Sequence, residues 1–286
     1  MKSKVIITGL TGMLNDYIFN EFKKKYKVFF FHHRNIKSKK KFIYIKYSDK
    51  KKIREYIEKI NPDCLIHAAG ITNVDVCENN KKKNFEVNFK ITKKLVDECK
   101  RKNFFMIYIS TDHLFDGKNI SGYSEKSRPN PVNQYAKCKV LSEKYIRANL
   151  DNYLIIRTNF FGKGNKFKNS FSDKIIDKLK KRKEIFLFDD VFFNPISMNV
   201  LSKVILQLYK NKKTGIFNIA TDQRISKYEF GKKIAKYKKY CVNLIKKNSI
   251  ENVKITKRPK NMFLINKKIK KIVKFNSKIE NNLRYI

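Results

Sequence analysis

The sequence predicts an α/β fold: a Rossmann-type, doubly wound parallel sheet with a smaller C-terminal substrate lobe. Short apolar segments rich in β-branched and aromatic residues alternate with segments of helical periodicity through residues 1–160. A glycine turn joins the first predicted strand to the first helix. The 286 residues suffice for one large domain or two interlocked domains with a full core. Alternating strands and helices favour a parallel sheet covered by helices.

The expected elements follow this alternation at first and a looser pattern later. Strands are expected at residues 4–8, 28–32, 42–47, 62–70 with the strand exit included, 104–109 and 153–158. Helices are expected to end near residue 25 and to cover 49–60, 84–102 and 133–149. Later come helices at 170–181, 199–209 and 226–240, strands at 185–188 and 215–220, a loop at 189–195 and a lysine-rich final helix after Asn261. Ser226 is the expected cap of its helix.

The same pattern suggests a division by function. Residues 1–160 are expected to form a dinucleotide-binding domain whose sheet is extended by residues 194–222. Residues 161–193 and 223–286 are expected to form the substrate-binding lobe. The polar segment 117–130 is a candidate active-site loop, because binding residues concentrate on loops held by a rigid scaffold.

The net charge of +42 admits two interpretations. One is binding to nucleic acid or an anionic surface. The other is a composition bias that places lysine at tolerant surface positions, which we favour because the excess is spread along the whole chain and arginine, the usual base reader, is sparse. We therefore expect no specific nucleic-acid partner. The charge should still attract anionic substrates, and a nucleotide sugar is one.

Cysteine usage and hydropathy indicate a cytoplasmic protein without membrane insertion. The five cysteines are scattered, with no C-x-x-C pair and no Cys/His cluster, so we expect neither a disulfide framework nor a metal site. No apolar run approaches the length of a membrane span. The chain start enters a strand and a glycine turn directly, and it lacks the apolar region and cleavage site of a signal peptide.

The glycine turn after the first strand predicts a dinucleotide site. Gly9 and Gly12 allow backbone N–H groups to approach a pyrophosphate at the helix N-terminus. Asn15 stands where a third glycine would allow close packing of helix on strand. An ordinary tight turn is the alternative, but the position between the first strand and the first helix favours the dinucleotide site.

Two further strand ends bear on the cofactor. The second strand ends in His32, His33, Arg34 and Asn35, with positive groups and no carboxylate to bind the adenosine 2′-hydroxyl. This favours NADP(H) over NAD(H), although the general lysine background is the competing explanation. The small residues Ala68, Ala69 and Gly70 at the end of a central strand leave room for a cofactor.

The stretch from Ser110 to Lys139 carries the predicted chemistry. Ser110 and Thr111 follow a buried strand, and Tyr135 and Lys139 share one face of the next helix. A hydroxyl, a phenol and an ammonium brought together can reduce a carbonyl. Tyr-x-x-x-Lys alone carries little information, since the chain has four such pairs: Tyr47/Lys51, Tyr135/Lys139, Tyr209/Lys213 and Tyr228/Lys232. Only the second pair follows a strand that ends in hydroxyl residues.

Asn88 lies inside the helix expected at 84–102. A buried asparagine there either satisfies a neighbouring strand or forms a bridge to the active site. The sequence does not decide between these two hypotheses.

Together these features resemble the extended short-chain dehydrogenase/reductase superfamily, and within it the dTDP-4-dehydrorhamnose reductase family. The resemblance covers nearly the whole chain, and S-T-D-x-x-F-D-G followed by Y-x-x-x-K is its most specific element. The matching segments are I-T-G-L-T-G-M-L (7–14), N-P-D-C-L-I-H-A-A-G-I-T (61–72), V-N (87–88), S-T-D-H-L-F-D-G (110–117), N-Q-Y-A-K-C-K (133–139), I-R-T-N-F-F-G (156–162) and R-P-K-N (258–261).

The resemblance implies a role for each matching residue. Thr111 would polarise the carbonyl, Tyr135 would donate the proton, and Lys139 would assist Tyr135 and bind the ribose. The implied cofactor residues are Gly9, Thr11, Gly12, Met13 and Leu14 at the pyrophosphate and Ala68, Ala69 and Gly70 at the nicotinamide. The implied sugar contacts are Thr72, Val74, His113, Leu114, Phe115 and Phe160.

The sequence also departs from the family at three positions. Asn15 replaces the third glycine, and His113 replaces a usual tyrosine beside the substrate, which puts the identity of the sugar in doubt. Lys46 stands where related chains often keep an aspartate that contacts adenine.

The expected function is NAD(P)H-dependent reduction of a keto nucleotide sugar, in the manner of dTDP-4-dehydrorhamnose reductase, for surface polysaccharide precursors. Two alternatives stay open. One is a nucleotide-sugar epimerase or dehydratase of the same superfamily, and the other is a non-catalytic regulatory subunit that keeps the fold and the nucleotide site. The expected partner is a nucleotide-sugar substrate, and the candidate assembly is a homodimer.

Overall fold

The computed structural model describes residues 2–33, 42–47 and 49–286. Its strands are β1 (Lys4–Thr8), β2 (Lys27–His32), β3 (Phe42–Tyr44), β4 (Cys64–His67), β5 (Phe105–Ile109), β6 (Tyr153–Arg157), β7 (Phe160–Phe161), β8 (Ile185–Phe188), β9 (Phe192–Phe193), β10 (Ile196–Ser197), β11 (Gly215–Asn218), β12 (Ile225–Ser226) and β13 (Ile245–Asn248). Its α-helices are α1 (Met13–Phe22), α2 (Lys50–Ile60), α3 (Val74–Asn79), α4 (Lys81–Phe85), α5 (Ile91–Lys102), α6 (Gln134–Asn149), α7 (Phe171–Lys180), α8 (Met198–Lys210), α9 (Lys227–Tyr237), α10 (Lys267–Lys270) and α11 (Ile279–Asn282).

Seven strands form the central sheet in the order β11-β6-β5-β4-β1-β2-β3. The pairs β1/β2, β1/β4, β2/β3, β4/β5 and β5/β6 are all parallel. The chain moves outward from β1 in one direction and then returns to build the other half from β4. The strand order therefore reverses between β1 and β4, where doubly wound sheets bind ligands at their carboxyl ends. The predicted fold class is confirmed, and β11 extends the sheet at its edge.

The chain separates into two compact units. Unit 1 comprises Met1–Ser110, Asn133–Ile156 and Ile205–Ile216, and unit 2 comprises Thr111–Val132, Arg157–Val204 and Phe217–Ile286. The core of unit 1 is built from fully buried residues of the sheet and its helices, such as Ile6, Leu65 and Ile155. The core of unit 2 is centred on aromatic residues, with the Phe230 ring edge-on to Phe161 and Phe193.

Side-chain caps fix where the functional helices begin. Asn133 caps α6 by accepting a hydrogen bond from the Ala136 N–H at 3.0 Å. Ser226 and Glu229 form a reciprocal capping box at α9, which confirms the predicted cap. Both caps are encoded by local sequence, and each sets the start of a lysine-containing helix, with Lys139 in α6 and Lys227 in α9.

Three parts of the chain differ from the expected elements. The helix expected at 84–102 is divided by a π-helical turn at Glu86–Lys90, and the loop expected at 189–195 contains β9. The single final helix was wrong, because the tail forms only α10, α11 and a 3₁₀ turn at Leu283–Tyr285. In this tail Asn282 donates to the carbonyls of Asn276 and Lys278. Such side-chain bonds to nearby backbone compete with a continuous helix.

Within the residues that the structure describes, no helix combines the length and apolar character needed to cross a membrane.

Candidate active site

The glycine turn between β1 and α1 has the geometry of a phosphate site. Gly9 has φ of +84° and donates its N–H to the Phe31 carbonyl at 3.1 Å. A Cβ at Gly9 would lie 3.0 Å from the Cα of Ala69, so only glycine allows this close approach of the β1 and β4 exits. No side chain of the described residues caps the N-terminus of α1, which follows Gly12. These features fit a pyrophosphate held by backbone N–H groups.

Asn15, at the position of the missing third glycine, is bonded to the glycine turn. Its buried amide donates to the carbonyl of Thr8 at 2.9 Å and also to that of Gly9. The side chain thus fixes the turn from inside the first helix. Asn15 therefore stabilises the glycine turn, although the family pattern has a glycine at this position.

The end of β2 is only partly within the described residues. His32 is buried and His33 is exposed, with the His33 ring 5.6 Å from the Tyr47 ring. Tyr47 donates its hydroxyl to the Phe31 carbonyl at 2.8 Å, beside the glycine turn. Arg34, expected at the cofactor phosphate, lies outside the described residues.

The β4 exit is fastened to β1 by one threonine hydroxyl. Thr8 Oγ1 accepts the N–H groups of Ala68 and Ala69 at 3.2 and 3.1 Å and lies 2.8 Å from His67 Nδ1. His67 Nε2 continues to Thr92 Oγ1 at 2.9 Å. Burial, with a smaller effect of the Lys139 charge, lowers the His67 pKa to about 3. His67 is therefore a neutral structural link at neutral pH.

Asn88 joins this exit to the helix that carries Tyr135. It accepts the Ile71 N–H at 2.8 Å, donates to the Ile71 carbonyl at 2.9 Å and donates to Asn84 Oδ1 at 2.7 Å. Asn84 in turn donates to the Gln134 carbonyl at 2.8 Å. A Cβ at Gly70 would lie 2.7 Å from Asn88 Oδ1, which explains the glycine. Asn88 thus satisfies a strand exit and also begins a bridge to α6.

Lys139 of α6 is buried and is bonded to the end of β5. Its Nζ donates to the Ile109 carbonyl at 2.9 Å and lies 4.6 Å from the centre of the Tyr108 ring. Burial lowers the Lys139 pKa to about 8, while the nearby Glu143 carboxylate opposes this shift. Glu143 accepts a hydrogen bond from Ser110 at 2.6 Å.

Tyr135 lies one helical turn before Lys139 and is 6% exposed. Its ring packs with Val74 and Cys77 of α3. The first turn of α6 is held by Glu78, which accepts the Gln134 N–H at 2.9 Å. Both ends of the Tyr135–Lys139 pair are therefore fixed within unit 1.

Thr111 begins unit 2 in a tight polar cluster. Its hydroxyl donates to Asp112 Oδ1 at 3.2 Å and accepts the His113 N–H at 3.2 Å. Asn159 donates to Asp112 Oδ2 at 2.7 Å. Burial lowers the His113 pKa, Asp112 opposes this, and the charges of Lys227 and Arg258 add to the lowering.

The expected sugar contacts occupy different environments. Leu114 and Phe115 are fully buried, and the Phe115 ring stacks on Tyr123 at 4.0 Å, so their side chains pack in unit 2. Their burial favours a packing role, and sugar contact stays a prediction for both. Thr72 is exposed, and Phe160 is partly buried in β7. Val74 is buried against Tyr135.

The sequence analysis did not identify two polar residues of interest, Asn84 in unit 1 and Lys227 in unit 2. Asn84 carried a signal in its i−4 spacing from Asn88, which places both on one helix face. Lys227 carried a weaker one: it is the first residue of α9, where a cation is disfavoured by the helix dipole. Among the described residues, no three His, Cys, Asp or Glu side chains are grouped so that they could hold a metal ion.

A doubly wound sheet, a glycine turn at its switch point and a Tyr-x-x-x-Lys helix after a hydroxyl-ended strand define an NAD(P)-dependent short-chain dehydrogenase/reductase. The chain belongs to the RmlD substrate binding domain family, whose pattern matches residues 3–284. The family resemblance inferred from the motifs is thus confirmed.

Known relatives agree with this assignment. The fold matches a crystal structure of dTDP-4-dehydrorhamnose reductase from Bacillus anthracis in complex with NADP, with 26% identity, TM-score 0.89 and coverage of 100% of this chain and 99% of that one. The chain is 27% identical to the spore coat polysaccharide biosynthesis protein SpsK of Bacillus subtilis over 80% of this chain and 77% of SpsK. It is 26% identical to methionine adenosyltransferase 2 subunit beta of Xenopus tropicalis over 79% of this chain and 69% of that protein.

Proposed function

We propose that this chain reduces the 4-keto group of a nucleotide-linked sugar with NADPH, in the synthesis of a surface polysaccharide precursor. The observation that carries the proposal is the Lys139 ammonium fixed on the Ile109 carbonyl, one helical turn from Tyr135. A lysine held there can stabilise a developing phenolate, which a solvated Tyr-x-x-x-Lys pair would do poorly. The family match and the reductase relative support the same reaction.

In the proposed reaction, two side chains act on the substrate oxygen, and a third, Lys139, supports one of them. The Thr111 hydroxyl donates a hydrogen bond to the carbonyl, and Tyr135 transfers its proton as negative charge develops. Lys139 positions the phenol and lowers the cost of its ionisation, since each pKa unit corresponds to roughly 1.4 kcal/mol. A bound nicotinamide supplies the hydride when present. Asp112 orients Thr111 through their hydrogen bond.

The proposed dinucleotide site uses the residues around the glycine turn. Gly9, Thr11, Gly12, Met13 and Leu14 would surround the pyrophosphate, because Gly9 opens the backbone and the first turn of α1 has no side-chain cap. At the nicotinamide side we place Ala68, Ala69 and Gly70. Preference for NADP over NAD is supported by the basic end of β2 without a carboxylate.

For the substrate, we keep Thr72, Val74, His113 and Phe160 as candidate contacts. Residues 1–160 are proposed to serve mainly the cofactor and the C-terminal segments the sugar. A cytoplasmic homodimer remains our working assembly, to be tested by cell fractionation and by light scattering of the purified protein.

The proposal is tested by following NADPH consumption with a panel of 4-keto dTDP-, CDP- and GDP-sugars. We expect turnover on one sugar that is lost in Tyr135→Phe and retained in Tyr228→Phe. Tyr228 is the matched control because it belongs to another Tyr-x-x-x-Lys pair on a helix. Replacing NADPH with NADH in the same assay measures the cofactor preference.

The similarity to methionine adenosyltransferase 2 subunit beta supports a second candidate, a regulatory subunit that binds a nucleotide without turnover. Binding of NADPH with no consumption across the whole sugar panel would favour it. Failure to bind any dinucleotide would contradict both candidates, since each depends on the glycine turn.

A further inference from the structure

Lys227 of unit 2 carries a positive charge at a position where both the helix dipole and partial burial disfavour it. It is the first residue of α9, an 11-residue helix whose N-terminus is already positive. The side chain is partly buried, with Nζ 4.1 Å from the centre of the Phe193 ring and 4.9 Å from that of Phe171. Removing an ammonium from water is costly unless an opposite charge replaces the solvent.

The protein itself supplies little compensation. Among the described residues, no carboxylate oxygen lies within 4.0 Å of Lys227 Nζ and no acceptor forms a hydrogen bond with it. The two aromatic rings contribute only a modest cation–π attraction. The charges that act on the Lys227 pKa are Asp112, which is attractive, and Arg258, which is repulsive. Burial, opposed by Asp112, lowers the Lys227 pKa to about 8.

Asp112 cannot serve as a full counter-ion. One of its oxygens accepts the Asn159 amide at 2.7 Å, and the other accepts the Thr111 hydroxyl at 3.2 Å. The carboxylate is also 2% exposed, so it is committed to the Thr111 cluster. Asp112 is thus shared with Thr111 and Asn159, and it acts on Lys227 through its charge without a direct ion pair.

We propose that Lys227 binds an oxyanion group of the nucleotide-linked substrate, either a phosphate of its diphosphate or a carboxylate on its sugar. The inference rests on the proposed function, because it takes the Thr111 cluster as part of the substrate site. An anion would supply the hydrogen-bond acceptor and counter-charge that Lys227 Nζ lacks among the described residues. Lys227 is then a specificity-determining residue and takes no part in proton transfer.

The test measures ligand binding by calorimetry, which needs no turnover. The variants are Lys227→Met, which removes the charge at similar length, and Lys227→Arg, which keeps it. Lys236→Met, on the exposed face of the same helix, is the control for a general loss of positive charge. The probes are dTDP, UDP, CDP and GDP, together with UDP-glucose and UDP-glucuronate as a neutral and an acidic sugar.

If Lys227 binds the diphosphate, Lys227→Met weakens the preferred nucleoside diphosphate roughly 10- to 100-fold, as expected for a charged hydrogen bond, and Lys227→Arg recovers much of it. If it binds a sugar carboxylate, only UDP-glucuronate weakens. Equal binding by wild type and Lys227→Met, an equal loss in Lys236→Met, or no binding of any probe by wild type would overturn the inference. NADPH binding, measured in parallel, reports on the proposed dinucleotide site separately.

Discussion

Lys139 of unit 1 and Lys227 of unit 2 are both desolvated lysines whose pKa burial lowers to about 8. Lys139 donates to the Ile109 carbonyl and lies near Glu143, so the fold itself satisfies its ammonium. Lys227 lies between two phenylalanine rings without a hydrogen-bond acceptor among the described residues. The same pKa thus arises at a site built to hold a charge and at a site that lacks a partner. The first arrangement suits catalysis on a fixed frame, and the second suits ligand binding.

The largest expected contrast between the two lysines is in turnover. Lys139→Met should lower kcat at least about 100-fold, because general acid catalysis by Tyr135 loses its electrostatic support. Lys227→Met should mainly raise KM, by roughly 10-fold, because it removes a substrate contact present before and during the reaction. Steady-state kinetics on the accepted sugar separate the two effects. A similar fall of kcat in both variants would remove the distinction.

A smaller effect is expected in the pH profile of kcat. The Lys139 ammonium is present below its pKa of about 8 and is lost as the pH rises through that value. Turnover should therefore decline above about pH 8, by up to roughly tenfold for each further pH unit. Stopped-flow measurement of the reduction step with saturating substrate tests this, and Lys227→Met is the control that should keep the alkaline limb. A flat profile to pH 10 would show that the ammonium is not required.

The two lysines should also differ in their effect on thermodynamic stability. Lys227→Met is expected to raise the free energy of unfolding at pH 7 by about 1–3 kcal/mol, because it removes a partly buried charge that has no hydrogen-bond acceptor and places a flexible apolar side chain against the rings. The free energy of unfolding of Lys139→Met should be lower than that of Lys227→Met, because this substitution leaves the Ile109 carbonyl without its hydrogen-bond donor. Urea unfolding of both variants measures the difference.

The sign of the pH dependence follows from linkage. With a folded pKa of about 8 for Lys227 and an unfolded value of roughly 10.4, the unfolded chain binds more protons between these values. The penalty of the charged lysine is fully present below pH 8 and is relieved as the pH rises toward 10. The difference in free energy of unfolding between Lys227→Met and the wild type should therefore decrease as the pH rises from about 8 to about 10. An advantage independent of pH would point to packing and not to charge.

The smallest expected effect concerns the hydrogen bonds of Asn84 and Asn88 that position α6, the helix of Lys139. Asn84→Ala removes the bonds to the Gln134 carbonyl and to Asn88, so α6 loses one of its links to the β4 exit and keeps the bond from Ser142 to the Asn88 carbonyl. We expect a loss of about 1–2 kcal/mol of stability and a fall of a few-fold in kcat, with little change in KM. Asn80→Ala, at an exposed helix cap, is the control for a stability loss outside this frame. An unchanged kcat in Asn84→Ala would show that Asn88 alone positions the helix.

The sequence predicted local elements in the regions of both lysines but did not predict the environment of Lys227, for a physical reason. The strand at Ile185–Phe188, the cap at Ser226 and the Tyr135–Lys139 helix depend on neighbours within a few residues, so local pattern suffices. The environment of Lys227 is made by Phe171 and Phe193, which lie far from it in sequence. Such contacts leave no periodic signal.

Two other differences between the sequence predictions and the structure also arise from contacts between residues that a local pattern does not show. The π-helical turn at Glu86–Lys90 is invisible to helical periodicity, yet it contains Asn88, whose side chain bonds to Ile71 and Asn84. Leu114 and Phe115 belong to the S-T-D-H-L-F-D-G segment, and the family resemblance implied that they contact the sugar. Their burial in unit 2 became apparent only from the packing of Phe115 on Tyr123.

The central claim, net reduction of a sugar carbonyl, is tested most directly by isotope transfer. NADPH deuterated at carbon 4 of the nicotinamide ring is supplied with the accepted keto sugar, and the product is examined by mass spectrometry and NMR. The account predicts one deuterium on the carbon that was the carbonyl, with no such product from Tyr135→Phe. A product without deuterium, or NADPH binding without any product, would contradict it and favour internal hydride recycling or a regulatory role.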